Sequence, residues 1–367
     1  MKKNFKIRIF QPVVQEYRVA LHEGLADRYG DRIEIWASPR RGVDVSIPLK
    51  KMRYDYSHKF FKFGPFIWQT GFSLKGLSKG DVIVVCGDLH QLSSLWIAFK
   101  ARCKGIKVVW WGHHKTATSS SRNVRIRLAI AKWLSDVMLV YTRTGIDYLL
   151  NMGFKNGRVF ATGNTIDQKP ICDAIESYDG QDPFKGKIGF LCCSVLREKV
   201  KLDLAIRALS DNRLSNVVLA VIGEGPAKQG YMNLASELGV ADRVIWIGAT
   251  RDQQVMAPWF LNAKGFVYPG SVGLSILHAM SYGLPVIVHN NPEHQMPEYE
   301  IMEDGNTGLC FKEDSVDSLV EKMVVMKEDS NLRNRMSKIA KDYALSKYSM
   351  EAMVNNFSEA LDVAMRL

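Results

Sequence analysis

Three short stretches of the 367-residue chain combine residue types and spacings that could hold an anion. The first is Gly223–Glu224–Gly225–Pro226, which follows an apolar run, Val217–Ile222. Glycine lets a backbone approach a ligand closely and proline suits the first turn of a helix. The same residues also serve an ordinary strand-to-helix turn. The second is Gly270–Ser271–Val272–Gly273, which leads into a helical pattern, Leu274–Tyr282. Unsatisfied backbone N–H groups and the helix dipole make such a junction an anion site. The third stretch carries Arg197, Lys199 and Lys201, which either stabilise charge on a departing group or form a solvated basic loop. Two imidazoles join these: His113, beside His114 at the end of IKVVWWG, and His278 within the helical pattern. Each offers a donor and an acceptor when neutral; His278 reads equally as a satisfied structural histidine, while the place of His113 at a strand's C-terminal end favours a functional reading over a structural one. Adjacent strand residues point to opposite faces, so His113 and His114 are not expected to share a metal ion.

These residues need a scaffold, and the hydrophobic pattern supplies one. Strand-like runs occur at 5–10, 32–37, 81–87, 106–112 and 136–141, then at 187–193, 216–223, 242–248, 265–270 and 284–290. Amphipathic stretches lie between them, among them 91–105, which ends at Gly105 as a helix cap would. Strand–helix alternation repeated twice implies an α/β protein with two doubly wound parallel sheets, strand ends facing a shared cleft. The expected organisation is a basic domain over 1–167, a Gly- and Pro-containing linker over 168–186 and a second domain over 187–345. A terminal helix over 346–367, following a break near Ser346–Tyr348, would pack back towards the first domain.

Composition narrows the class. Net charge is +11, yet residues 1–167 carry 28 Lys and Arg against 12 Asp and Glu, while residues 168–367 carry 21 against 26. The two halves should meet different partners. No run approaches the ~20 apolar residues that span a bilayer, and Gln11, Gln15 and Glu16 interrupt the basic N-terminal stretch too early for a signal peptide. The six cysteines show no paired CxxC spacing; Cys86, Cys192, Cys193 and Cys310 fall in apolar runs, as buried thiols of a reducing cytoplasm would.

The segment VIGEGPAKQGYMNLASELGVADRVIWIGATRDQQVMAPWFLNAKGFVYPG (221–270) resembles the donor domain of family 4 glycosyltransferases, which have the two-domain GT-B fold. GLSILHAMSYGLPVI (273–287) and EIMEDGNTGLCF (300–311) follow in the same order and spacing, while GH (112–113) and GNTID (163–167) extend the resemblance weakly into the front half. The resemblance implies a nucleotide-diphosphate sugar donor, retention of anomeric configuration, and no metal or cofactor. Its donor-side positions fall on Gly223, Glu224, Gly225, Gly270, Val272, Gly273, Leu274 and His278, with His113 near the sugar. The family places two glutamates eight positions apart, here Gly270 and His278, and phosphate-gripping cations at positions that are here Val195 and Val200. Arg197 and Lys199, with Lys201, are then the expected substitutes, and Glu298 in PEHQMPEYE (292–300) is the candidate replacement carboxylate or a member of a solvated acidic loop.

On the acceptor side, Gln11, Glu16 and Arg18 follow the first strand, where they contact an acceptor or merely cap a helix. The segment 50–80 interleaves Lys and Arg with Tyr54, Tyr56, Phe60, Phe61, Phe63, Phe66, Trp68 and Phe72, and 119–134 adds Arg122, Arg125, Arg127 and Lys132. Such composition suits an anionic membrane surface, nucleic acid, or burial against the first domain. A lipid-linked glycan acceptor of cell-surface polysaccharide synthesis favours the membrane, with the protein peripheral at its cytoplasmic face and nucleic acid not a partner. The expectation is thus a metal-independent hexosyltransferase; the alternative is a degenerate GT-B protein that binds a glycan or partner without catalysis.

Overall fold

Apolar runs flanked by amphipathic helices become parallel strands covered on both faces, because every buried backbone group then finds a partner in the ladder. The computed structural model describes residues 5–38, 59–113 and 121–367. They form two units, residues 1–164 with 350–367, and residues 165–349.

In the first unit the chain runs through β1 (Ile7–Val13), α1 (Val19–Tyr29), β2 (Ile33–Ser38), an antiparallel hairpin of β3 (Phe60–Phe63) and β4 (Phe66–Gln69), and β5 (Val82–Cys86). It continues through α2 (Leu92–Cys103), β6 (Lys107–Trp111), α3 (Ser121–Leu134), β7 (Val137–Val140), α4 (Arg143–Asn151) and β8 (Val159–Ala161). The sheet is parallel in the order β2-β1-β5-β6-β7-β8. Strand order reverses between β1 and β5, where such sheets bind ligands at their C-terminal edge. Two expectations change here. Gln11 and Pro12 lie inside β1, at a register shift against β2, rather than after it. The hairpin and the three-residue β8 were not anticipated, the first because its phenylalanines face solvent instead of a core.

In the second unit, α5 (Lys169–Glu176), β9 (Ile188–Cys193), α6 (Leu202–Ala208), β10 (Val217–Ile222), α7 (Lys228–Glu237), β11 (Val244–Gly248) and α8 (Gln253–Asn262) build one half. β12 (Gly265–Tyr268), α9 (Ser275–Ser281), β13 (Val286–His289), β14 (Gly308–Phe311), α10 (Val316–Glu328) and α11 (Ser330–Leu345) complete it. This sheet is also parallel, in the order β11-β10-β9-β12-β13-β14, and reverses between β9 and β12. The expected linker over 168–186 is instead part of this unit. Ile171, Ala174 and Phe184 are fully buried in its core, and α5 packs on α8. Its Gly and Pro residues shape turns around a short helix, which composition does not distinguish from a linker.

The last helix, α12 (Met350–Arg366), belongs to the first unit, where it lies against α1, β6, β7 and β8. Phe357 is fully buried and meets Trp111 edge-on, with ring centroids 5.0 Å apart. Among the described residues all six cysteines are free; Cys192 is buried, whereas Cys86, Cys193 and Cys310 are only partly so and Cys103 is exposed.

Candidate functional site

The reversal point of the second sheet brings together the residues that follow β9 and β12. After β9 the chain turns through Ser194–Val200, and a β-carbon built on Gly270 would lie 2.0 Å from the Lys199 carbonyl oxygen. Only glycine fits there, so the loop after β12 is pressed against the basic turn. Gly223 and Gly225 act likewise: added β-carbons would meet the Ser194 oxygen at 1.8 Å and the Leu196 oxygen at 2.2 Å. Their close approach is to this chain's own backbone, which makes them structural supports of the basic turn. Pro226 precedes α7 by two residues rather than opening it.

The cations divide. Arg197 and Lys199 are exposed and neither forms an ion pair among the described residues. Tyr231 donates to the Arg197 carbonyl at 3.0 Å, which fixes the backbone of the turn. Lys201, in a left-handed conformation, is paired with Asp314 at 2.5 Å and Glu313 at 3.6 Å. The Asp314 hydrogen bond raises its pKa. Neither acid was foreseen, because more than a hundred residues separate them from Lys201. Glu224 is similarly engaged, with Lys228 at 2.6 Å on the surface.

The loop Ser271–Gly273 is tied to the segment before Glu298. The Ser271 hydroxyl donates to the His294 carbonyl, and the Val272 amide donates to Gln295 Oε1 at 2.8 Å. The Val272 amide, expected to face a ligand, is therefore already occupied. Leu274 caps α9 without a side-chain hydrogen bond, and α9 itself spans only Ser275–Ser281. Glu298 is buried, and its Oε2 lies 3.9 Å from a β-carbon position built on Gly273. A carboxyl group thus stands beside Gly273, two residues before α9 begins.

His278 is held rather than offered. Its Nε2 hydrogen-bonds Gln253 Oε1 at 2.9 Å, and its ring packs on Phe260 with centroids 4.8 Å apart. Burial pushes its pKa down to about 4, so it is neutral at pH 7. Of its two readings, these contacts describe the satisfied histidine.

At the C-terminal edge of the first sheet, Gly87 and Gly112 pass closely enough that a β-carbon on Gly112 would lie 2.9 Å from the Gly87 Cα. His113 follows, solvent-accessible yet set among protein atoms, its ring 4.7 Å from that of Tyr141. Desolvation, then the charges of Arg127 and Arg18, lower its pKa. His114 lies outside the described residues, as do Tyr54 and Tyr56. Glu16 and Arg18 occupy a single turn of 3-10 helix ahead of α1.

A family model for Glycosyl transferases group 1 matches residues 175–343, which fall within the second unit. The lipopolysaccharide core biosynthesis glycosyltransferase LpsE of Rhizobium meliloti (strain 1021) is 26% identical over 152 residues, covering 41% of this chain and 43% of that protein. A GDP-mannose-dependent alpha-(1-6)-phosphatidylinositol monomannoside mannosyltransferase of Mycolicibacterium smegmatis is 25% identical over 183 residues, 47% of each chain. The chain thus spans about half the length of the curated relatives it matches. Among solved structures, Anabaena Alr3699/HepE in complex with UDP superposes with a TM-score of 0.72 at 15% identity, over 98% of this chain and all of that one. The lipopolysaccharide outer core galactosyltransferase WaaB in its apo form gives 0.69 at 17% identity, over 98% and 99%. The chain has the GT-B fold, and its resemblance to Glycosyl transferases group 1 is confined to residues 175–343.

Proposed function

We propose that the protein is a retaining glycosyltransferase that moves a sugar from a nucleotide-diphosphate donor to a glycan acceptor. The observation that carries this reading is the meeting of Lys199 with Gly270 at the reversal point, within the group 1 domain. Arg197 and Lys199, neither in an ion pair among the described residues, follow β9 at that reversal point, where such sheets bind ligands. Their charge would stabilise the diphosphate as it leaves, a task that requires no metal ion in this reading. The departing phosphate oxygen would take the proton of the acceptor hydroxyl on the same face, which retains configuration. Glu298 would meet a donor-sugar hydroxyl, in place of the family carboxylate that Gly270 lacks.

The relatives' names speak for a cell-surface glycan, and a lipid-linked acceptor would place the enzyme at the cytoplasmic face of a membrane. The described surface suits that position. Phe60, Phe61, Phe63 and Phe66 are exposed on the β3–β4 hairpin beside Lys59 and Lys62. Trp96, Phe99 and Trp133 form an exposed stack with centroids 6.1 and 5.9 Å apart, and Lys100 lies over Trp96. No described helix is long and apolar enough to cross the bilayer.

One observation favours the non-catalytic alternative: the two positions of the family glutamates hold a glycine packed on backbone and a histidine engaged with Gln253. Thermal-shift screening against UDP, GDP, dTDP and CMP sugars separates the readings. A donor at a hundredfold excess over Kd adds about 2.7 kcal/mol, or roughly 5–10 °C for a unit of this size. No shift with any donor contradicts the enzyme reading.

A further inference from the structure

Among its described residues, the first unit holds a buried positive charge with no negative group paired to it. Arg18, in the turn after β1, is 5% exposed. Its guanidinium lies among three aromatic rings, 4.7 Å from the Trp111 centroid and 5.1 Å from those of Tyr17 and Tyr141. Its hydrogen bond within the described residues runs from Nη1 to the Met353 sulfur at 3.9 Å, a weak and neutral acceptor. His22, one turn along α1, is fully buried and neither of its ring nitrogens is hydrogen-bonded. Burial, reinforced by the Arg18 charge, pushes its pKa down to about 3, so it offers no compensation.

At the neighbouring His113 the nearby charges are mainly positive. The fields of Arg127 and Arg18 both reach His113, and Asp88, whose field opposes them there, is itself hydrogen-bonded to His90 at 2.8 Å. A guanidinium taken from water without a counter-charge is costly, and cation–π contacts return only part of that cost. Its planar fork matches an oxyanion in geometry as well as charge. Arg18 follows β1, His113 follows β6 and Tyr141 follows β7, so all three stand at the C-terminal edge of the sheet, where ligands of this architecture bind.

We propose that Arg18 is the centre of a phosphate-binding pocket in the first unit, flanked by His113 and Tyr141, and that the acceptor is therefore a phosphate-bearing molecule. This rests on the glycosyltransferase reading above, in which Gln11, Glu16 and Arg18 lie on the acceptor side; a donor diphosphate presents the same phosphate chemistry, so the test separates the two.

Calorimetric titration of inorganic pyrophosphate and of UDP, GDP and dTDP distinguishes the sources, using wild type, Arg18→Gln, Arg18→Lys and the Arg197→Ala/Lys199→Ala double variant. In the expected result, Arg18→Gln weakens pyrophosphate at least tenfold and changes nucleotide affinity less than twofold. The double variant keeps a pyrophosphate site. A tenfold loss of nucleotide affinity in Arg18→Gln as well supports the pocket but assigns its phosphate to the donor, which overturns the acceptor half of the proposal. Unchanged pyrophosphate binding in Arg18→Gln, or no pyrophosphate site in the double variant, overturns the proposal. Failure of every nucleotide to bind wild type contradicts the enzyme reading while the pyrophosphate arm still reads Arg18. Should Arg18→Gln not fold, the fluorescence of wild type answers instead. Pyrophosphate is expected to alter an emission component that Trp111→Phe lacks, and an unaltered component overturns the pocket.

Discussion

At the scale of single residues, the distinction that matters is between cations already paired and cations left open. Lys201 is half-exposed and its surface ion pair with Asp314 contributes about 0–1 kcal/mol, so its loss should be mild. Arg197→Ala or Lys199→Ala should instead lower kcat/KM about 10²–10³-fold, as expected for removal of one charge-stabilising donor. Lys201→Ala should cost less than tenfold. Comparison of nucleotide release by the three variants checks this order. His22 gives a second prediction. Its pKa falls from 6.5 in the unfolded chain to about 3 in the folded one, so the folded form excludes a proton that the unfolded form accepts. Stability should be full above pH 6.5 and fall as pH drops through 6.5 towards 3. Leucine at this position should flatten that slope and gain about 1–3 kcal/mol by removing two unpaired buried nitrogens. Melting curves at pH 7 and pH 5 for wild type and His22→Leu measure both effects. The types of these residues were readable in the sequence, but their partners were not. Gln253 reaches His278 and Asp314 reaches Lys201 only through the fold, and no local spacing reports such pairs.

At the scale of elements, strands with continuous apolar runs were legible because a parallel sheet buries both faces. All ten of the runs read from the pattern overlap a strand, and eight contain one entire. The break between α11 and α12 was legible for the complementary reason, a polar interruption of helical periodicity at Ser346–Tyr348. Other elements carried too little signal. β8 has three residues, and the β3–β4 hairpin exposes the aromatics that would normally mark a core. α5 was lost in a stretch rich in Gly, Pro and charge, although Ile171 and Ala174 anchor it. The glycines were found, but their reason was not. Gly270 and Gly223 are small so that the turn after β9 can lie against them, a long-range requirement. Gly270→Ala should therefore displace the Lys199 carbonyl, lower the melting temperature by several degrees and weaken nucleotide binding. Gly230→Ala, with no atom within 4 Å of the added carbon, should do neither. Parallel thermal-shift and binding measurements on the two variants test this contrast.

At the scale of the whole molecule, the uneven charge bears on the proposed position at a membrane surface. The first unit's exposed aromatics and its acid-free stretch from Leu89 to Ser135 fit a headgroup surface, where each nearby Lys or Arg contributes ~1 kcal/mol. Vesicles containing anionic lipid should sediment the protein at low salt and release it as salt rises. Phe61→Ala/Phe63→Ala/Trp133→Ala should bind them more weakly without loss of donor binding. The overall α/β architecture and the two sheets were legible from the alternation of patterns, whereas the division at residues 164–165 and 349–350 was not, since it depends on where α5 packs. The central claim concerns the donor, and release of nucleoside diphosphate from a panel of UDP, GDP, dTDP and CMP sugars tests it most directly. Wild type should hydrolyse at least one donor slowly without an acceptor, and Arg197→Ala/Lys199→Ala should abolish that release while keeping its melting temperature. Absence of release and of binding across the whole panel would contradict the assignment of these cations to a leaving diphosphate.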